Sequence, residues 1–589
     1  MGILSSPGVL IKEIDLTGSV AAQSTNAAGM VGDFRWGASF ERVRVSDSAE
    51  LETVFSKPTD RNYISWLSAK SFLAYSSNLY IVRVVDATAK NATGDKSGIL
   101  IKNTQHFAAV NDQSKDALLF AARYVGALGN SIAVSVADVS NFEKWEYADE
   151  FDAAPHTSDF GAELGAKFDE LHLVVIDKHG LFTGTVGAIL EKYSFLSKAR
   201  NAKGLDGAPI YYANVINEQS KYIYSFGAPL STEYAVAATD YADAVEAWGS
   251  PLIKSDGTAS GFKVLKANST ENHTGWFTQL EGGNDGGIPN ADEYVTGWNE
   301  FKSTEEVDIG LLFTNDGGGE DSHKVVVQHV IDNICSKRKD CVVTLSPKLK
   351  DVLNKTQNDA SKAIIETRNG IGRVSSYAVM DSGWKLMYDV HNDKYRWVPL
   401  NADISGLMAL TERDYDAWWS PAGYNRGRLR NVVSLAFNPN NDSRDALYKS
   451  QVNPVVTFTG EGTLLYGDKT MQAKSSAFQY INVRRLFITL QKAIGKASKY
   501  QLFEFNDEIT RATFRNMVSP YLREVKGRRG VYDYRVVCDE SNNTPEVIDN
   551  AQFVGSIFVK PSRSINYIQL NFVAVRTGVE FSEVVGVQY

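Results

Sequence analysis

The sequence predicts a multidomain protein of α/β and α+β class: a mixed-sheet α/β core, a C-terminal α+β domain, a β-rich inserted domain, and extended N- and C-terminal arms. Three observations predict it. The chain has 589 residues, 43% of them hydrophobic and 11% aromatic, which is more than one core can use and enough for several to fold. Apolar runs of strand length alternate with amphipathic runs of helix length in two separated stretches. Both ends of the sequence are short, apolar and β-prone.

The first residues read Ser6-Pro7-Gly8-Val9-Leu10-Ile11-Lys12-Glu13-Ile14, and the last read Phe581-Ser582-Glu583-Val584-Val585-Gly586-Val587-Gln588-Tyr589. Neither has an adjoining hairpin turn to fold it back. A lone apolar strand presents unpaired N–H and C=O groups and is an aggregation hazard until something pairs with it. Val9, Leu10, Ile11 and Ile14 at one end, and Phe581, Val584, Val585, Val587 and Tyr589 at the other, are therefore the candidate residues for strand addition to neighbouring copies. Gly18, followed by the small residues Ser19–Ala22, and Gly578, after Arg576-Thr577, are the candidate hinges between arms and body.

The organisation follows from these patterns: an N-terminal arm over 1–23, a first core part over 24–90, an insertion over 91–294, a second core part over 295–474, a C-terminal domain over 475–575, and a C-terminal arm over 576–589. In the first core part, Arg42–Val45 predicts a strand, 46–55 and 61–75 predict helices, and the continuous apolar run 79–85 predicts a buried strand. In the insertion, 131–136 and 171–176 predict strands among irregular segments, and the glycine-rich Glu281–Pro289 stretch is loop chemistry. In the second core part, 307–313, 341–345 and 374–380 predict strands. Helices are expected at 322–338, where Val326, Val330 and Ile334 fall four apart, and at 348–367. Segments 384–388 and 395–398 frame a hairpin about Asn392-Asp393.

In the C-terminal domain, Leu486, Leu490, Ala493, Ile494 and Ala497 form a helical stripe after Asn482. A second helix starts at the capping pair Asn506-Asp507, carries Phe514, Val518, Tyr521, Leu522 and Val525 on one side, meets a kink at Pro520 and stops near Gly527. Alternation over Tyr532, Tyr534, Val536 and Cys538 predicts a half-buried strand; further strands are expected at 557–559 and 565–574.

A net charge of −9 argues against nucleic-acid coating as the main role. From Ser475 onward 15 Lys/Arg face 11 Asp/Glu, leaving 46 against 59 elsewhere, so a mildly basic end sits on an acidic protein and fits an acidic partner. Three cysteines exclude a disulfide framework and fit assembly in a reducing cytoplasm. No secretory signal is expected, and no apolar run approaches the ~18 residues of a membrane helix.

No residue set assembles a nucleophile, a base and an orienting group, so no enzyme, cofactor or metal site is expected. Asn315-Asp316-Gly317-Gly318-Gly319 lies between a strand and a helix, where phosphate sites occur, but lacks the Lys of a P-loop. His391, Asp389 and Asp393 crowd one turn but need more ligands. Asp381-Ser382-Gly383 lacks the nucleophile-elbow pattern. Cys335 and Cys341 flank a basic turn at a spacing that fits no zinc ligand pair, and read as buried thiols.

Segments in order along the chain resemble one family. They include Ser6-Pro7-Gly8-Val9, Phe34-Arg35-Trp36-Gly37, Ile81–Asp86, Arg396-Trp397-Val398-Pro399-Leu400 and Ala402–Leu407. Ser420–Gly427, Leu465–Thr470, Ile481–Phe487, Tyr534–Asp539 and Ser564–Ala574 follow. The sequence is similar to the contractile tail sheath proteins of myovirus-type bacteriophages over about residues 1–90 and 300–589, whereas the insertion departs from the pattern. The resemblance implies a homopolymer of stacked hexameric rings in a six-start helix around a tail tube, stitched by the terminal arms. It implies contraction from a metastable extended state that drives the tube through the host envelope for genome ejection.

On this view the insertion is an outer, surface-exposed domain and the C-terminal domain an inner one facing the tube. Arg511, Arg515, Arg523, Lys526, Arg528 and Arg529 are the expected tube contacts, some of them pairing within the fold instead. Expected partners are other copies of the chain, the tube protein, and baseplate and tail terminator or neck proteins, with no direct nucleic-acid contact and no membrane insertion. The expected location is the virion, after assembly in the host cytoplasm. The alternatives are the sheath of a phage-derived secretion or bacteriocin-like injection system and, remotely, an α/β nucleotide-binding enzyme.

Overall fold

The computed structural model describes residues 25–111, 120–227, 241–266 and 275–566. Val9, Leu10, Ile11, Ile14, Phe581, Val584, Val585, Val587 and Tyr589, with the hinges Gly18 and Gly578, lie outside the described residues. The described residues fall into two compact units, 25–502 and 503–566.

In the larger unit the chain opens with β1 (Ala28–Gly32), then β2 (Arg42–Val45), helices α1 (Ser48–Phe55) and α2 (Tyr63–Leu73), and β3 (Leu79–Arg83). Asp47 caps α1 by accepting from the Ala49 and Glu50 amides. Strand β1, whose five residues are all buried, carries no clear strand signal in the sequence because two glycines dilute it. Packing explains them: a Cβ on Gly29 would lie 2.9 Å from Leu312, and one on Gly32 2.6 Å from the Ser65 hydroxyl.

The chain then leaves for the insertion through a two-stranded neck. Lys90 and Asn284 exchange backbone hydrogen bonds of 2.9 and 3.0 Å, and Thr93 and Glu281 do so at 2.8 and 3.0 Å. The insertion holds β4 (Phe120–Ala122), β5 (Ile132–Ala137), β6 (Glu170–Asp177), β7 (Ala188–Ser197), β8 (Ile223–Ser225) and β9 (Trp276–Gln279). Four form an antiparallel sheet in the order β7-β6-β5-β9, and β4 pairs with β8. Leu171, Leu173 and Val175 of β6 pack on one side and Val174 and Ile176 on the other, so both faces are covered. The Asp177 carboxylate ends β6 by accepting from the Ser131 hydroxyl and from the Leu181, Phe182 and Thr183 amides.

On return the chain forms α3 (Ala291–Asn299), β10 (Leu311–Phe313) and α4 (Gly319–His329). The helix continues through a π-helical turn, Val330–Cys335, into Ser336–Arg338, so the single helix expected from the sequence is present with a changed winding. Next come β11 (Val342–Leu345), a short helix Leu349–Val352, and α5 (Gln357–Ile371), capped by Thr356. Strands β12 (Ala378–Asp381), β13 (Trp384–Asp389) and β14 (Lys394–Pro399) follow, with the expected hairpin between the last two. Helix α6 (Asn401–Asp414) is legible only as a family segment. Asn401 to Ala409 are all buried, so no apolar–polar period marks it. Strands β15 (Ser434–Leu435), β16 (Val452–Asn453), β17 (Val455–Phe458) and β18 (Gly462–Leu465) precede α7 (Ile481–Ser498).

Seven strands make one sheet in the order β16-β12-β11-β10-β1-β3-β2, parallel except for β2. Residues before and after the insertion therefore share a sheet, with β1 beside β10. Phe72, Ile404, Leu407 and Ile488 cover one side, and Trp298, Val326, Val330 and Ile364 cover the other.

The smaller unit contains α8 (Glu508–Gly527) and an antiparallel ribbon of β19 (Val531–Val537) and β20 (Ser556–Pro561). Asp507 caps α8, accepting from the Thr510 amide at 2.8 Å. The helix runs through Pro520 without a break. Phe514, Val518, Tyr521, Leu522 and Val525 are its buried stripe.

Candidate assembly interface

The sequence positions with a catalytic look are structural. Gly317, Gly318 and Gly319 have φ of 66°, 78° and 86°, so they make a tight left-handed turn. A Cβ on Gly317 would meet His323 at 3.0 Å and one on Gly318 would meet Tyr294 at 2.8 Å, so the turn packs closely against both side chains. Asn315 donates to the Val31 carbonyl at 2.9 Å and pins the turn to β1. The buried Ser382 hydroxyl accepts from the Val455 amide at 2.9 Å, so it serves the backbone at the start of β17. Asp389 accepts from the His391 amide and from the Asn392 side chain, which closes the hairpin turn. Among the described residues no group of three or more His, Cys, Asp or Glu side chains could hold a metal ion, and no helix is long and apolar enough to cross a membrane.

Buried polar groups fix α6 against the sheet. Lys385 and Asp403, both fully buried, pair at 2.8 Å, and the Tyr75 hydroxyl donates to the same carboxylate at 3.0 Å. Ser346 donates to Asp381 at 2.7 Å and accepts from the Asn401 amide at 3.0 Å. Burial pushes the Asp381 carboxyl up to about 8.

The described chain begins at an anchored residue. The Thr25 amide and hydroxyl donate to the two oxygens of Glu412, at 2.5 and 2.7 Å. The buried Arg485 guanidinium donates to Glu412, to the Met408 carbonyl and to the Thr25 hydroxyl. Gly310 fits beneath because a Cβ there would lie 2.0 Å from the Thr25 carbonyl. Thr25 and Arg485 are 460 positions apart, and no local pattern signals their meeting.

In the smaller unit the ribbon has two strands among the described residues. Val531 is buried and the Tyr534 hydroxyl donates to the Ser519 carbonyl of α8, whereas Tyr532 and Phe558 are exposed.

The six basic residues separate into groups. Arg511 is 6% exposed and bonds Asn506, which corrects its expected place at a contact surface: its stem packs inside the unit. Arg515 donates to the Cys538 carbonyl and to Glu508, tying α8 to the end of β19. Lys526 pairs with Asp533 at 3.0 Å and holds that carboxyl below its usual range, and Arg528 lies 3.7 Å from Glu524. Arg523 and Arg529 are exposed and make no ion pair among the described residues.

Residues 290–471 match the family described as the phage tail sheath protein central domain, and residues 473–574 match the phage tail sheath C-terminal domain. The tail sheath protein of Vibrio phage KVP40 is 33% identical over 671 aligned residues, covering 99% of this chain and 100% of that protein. The tail sheath protein of Enterobacteria phage T4 is 32% identical over 662, with 99% of each covered. A solved sheath tail protein from Listeria innocua aligns with a TM-score of 0.51 over 93% of this chain and 97% of that one, at 10% identity, a likeness of fold. The class is thus a structural component of a phage virion, not an enzyme. This chain belongs to the tail sheath proteins of contractile-tailed bacteriophages.

Proposed function

We propose that the chain polymerises as stacked hexameric rings in a six-start helix around the tail tube. Copies are joined by exchange of terminal strands. The extended sheath is metastable, and its contraction drives the tube through the host envelope for genome delivery. The observation that carries the strand-exchange part is the β19–β20 ribbon: two strands among the described residues, with Tyr532 and Phe558 exposed. Two-stranded ribbons are marginal alone, and a third and fourth strand complete them. The apolar sets Val9, Leu10, Ile11, Ile14 and Phe581, Val584, Val585, Val587, Tyr589 have the composition to supply such strands. Each added hydrogen bond contributes a net of about 0.5–1.5 kcal/mol, multiplied over every copy.

In the same reading Gly18 and Gly578 are the hinges, the insertion over 91–294 is an outer domain, and the C-terminal unit faces the tube through Arg523, Lys526, Arg528 and Arg529. Subunits assemble in the host cytoplasm and engage the tube, baseplate and neck proteins. The test is deletion of residues 1–20. The expected product is folded and monomeric by light scattering, with no cylinders in negative-stain images; sheath-like tubes from the truncated chain refute strand exchange at that end.

A further inference from the structure

Cys335 and Cys341 are both fully buried, and the Cys341 thiol donates to the Cys335 sulfur with the two sulfurs 3.8 Å apart. The turn between them is held from several sides. Lys339 sits at φ 61°, and its amide donates to the Cys335 carbonyl at 2.8 Å. The Arg338 guanidinium, in the middle of the turn, donates to the carbonyls of Phe301, Ser303 and Val307 at 2.7–2.9 Å and to both carboxylate oxygens of Asp340. Cys335 ends the π-helical turn Val330–Cys335, and Cys341 immediately precedes β11. Two thiols at van der Waals distance, held together by a hydrogen-bonded turn when it is closed, have little left to lose in entropy on bonding. Burial pushes the Cys335 thiol well up, so reaction follows local opening of the 336–340 turn and does not occur at the closed surface.

The geometry points to an oxidisable dithiol in the core of the larger unit, closing to a Cys335–Cys341 disulfide by exchange with a low-molecular-weight disulfide. One thiolate attacks a sulfur of the small disulfide and forms a mixed disulfide, expelling one small thiolate. The second cysteine thiolate then attacks the protein sulfur of the mixed disulfide and expels the other. The protein loses two electrons and two protons, and the small disulfide becomes two thiols. The bond ties the end of the α4 helical run to β11. A free virion sits outside cells, where thiol reductants are not maintained, so a chain folded with reduced thiols meets such oxidants only after release. The dithiol is independent of the assembly reading above.

The purified full-length chain, treated with oxidised glutathione, is unfolded in iodoacetamide and digested with trypsin without reduction. Cleavage after Lys337, Arg338 and Lys339 places the two cysteines in separate peptides, Val325–Lys337 and Asp340–Lys348. The expected result is a disulfide-linked pair of these peptides, absent after dithiothreitol, with Cys538 alkylated in both arms. The Cys538→Ser variant should keep the link and Cys341→Ser should lose it. The oxidised chain should also melt higher than the reduced one. Alkylation of all three cysteines after oxidation, or glutathione left on Cys335 or Cys341 with no link, overturns the proposal.

Discussion

At the scale of single residues, two buried groups carry predictions. Asp381 is fully buried and its carboxyl is pushed up to about 8, so the folded chain holds a proton there that the unfolded chain releases near the ordinary carboxyl value. Its contribution to stability is complete below about pH 4 and is lost as the pH rises toward 8. Asp381→Asn removes the titrating group at nearly constant shape and keeps an acceptor oxygen for the Ser346 hydroxyl. The variant should therefore gain on the parent progressively across that window in scanning calorimetry, and parallel pH profiles refute the assignment. Among the described residues Glu412 is the sole carboxylate bonded to Arg485. Glu412→Ala leaves a buried guanidinium uncompensated, at a cost of about 3–5 kcal/mol, and strips Thr25 of its acceptors. The expected readouts are a lowered unfolding midpoint and faster proteolysis at the Thr25 root; unchanged cleavage there would show that the arm is anchored elsewhere.

At the scale of elements, α8 shows how position on a helix sorts identical side chains. Arg511 falls on the face that carries Phe514 and Val518 and is buried, whereas Arg523 falls on the solvent side, and Arg529, two residues past the end of the helix, is exposed as well. Charge reversal at Arg511 or Arg515 would disturb bonds to Asn506 and Cys538 and so confuse folding with assembly. Reversal at Arg523 and Arg529 isolates the surface. The double variant should fold with an unchanged circular dichroism spectrum and bind tail tubes more weakly, with the deficit largest at low salt. Exposed charges contribute about 0–1 kcal/mol each, so the effect is read in co-sedimentation of many copies and not in one contact. Tails that form normally at low salt would place the tube contact elsewhere.

At the scale of the whole molecule, the neck makes the insertion separable. Lys90 and Asn284 are hydrogen-bonded neighbours, and Arg61 clamps the returning chain by donating to the Gly286 and Gly287 carbonyls while pairing with Asp33. Arg83, buried, ties the Phe34 and Gly37 carbonyls to that of Val125 in the insertion. Replacing residues 91–283 by a short glycine–serine turn should leave the seven-stranded sheet intact, since every strand of that sheet lies outside the excised stretch. The expected result is a soluble chain with native-like far-ultraviolet spectra and a lowered midpoint, because Trp36, now part of the insertion core, becomes exposed. Aggregation of a mutant carrying Trp36→Gln in addition would show that the core needs the insertion to fold.

The sequence by itself determined what local periodicity encodes. The stripes of α7 and α8, the β13–β14 hairpin and the β5 and β6 strands of the insertion were all legible. So was the family, through ordered segments that need no fold to be read. Tertiary structure alone decided the rest. Strand β1 and the Asn401–Ala409 stretch of helix α6 are buried on all sides, which erases the alternation that would announce them. The Thr25–Glu412–Arg485 anchor and the 3.8 Å approach of two thiols depend on where distant backbone comes to lie. Residue spacing reports a side chain's direction on its own element, while burial and partners depend on what packs against it, and those neighbours are set by the whole fold.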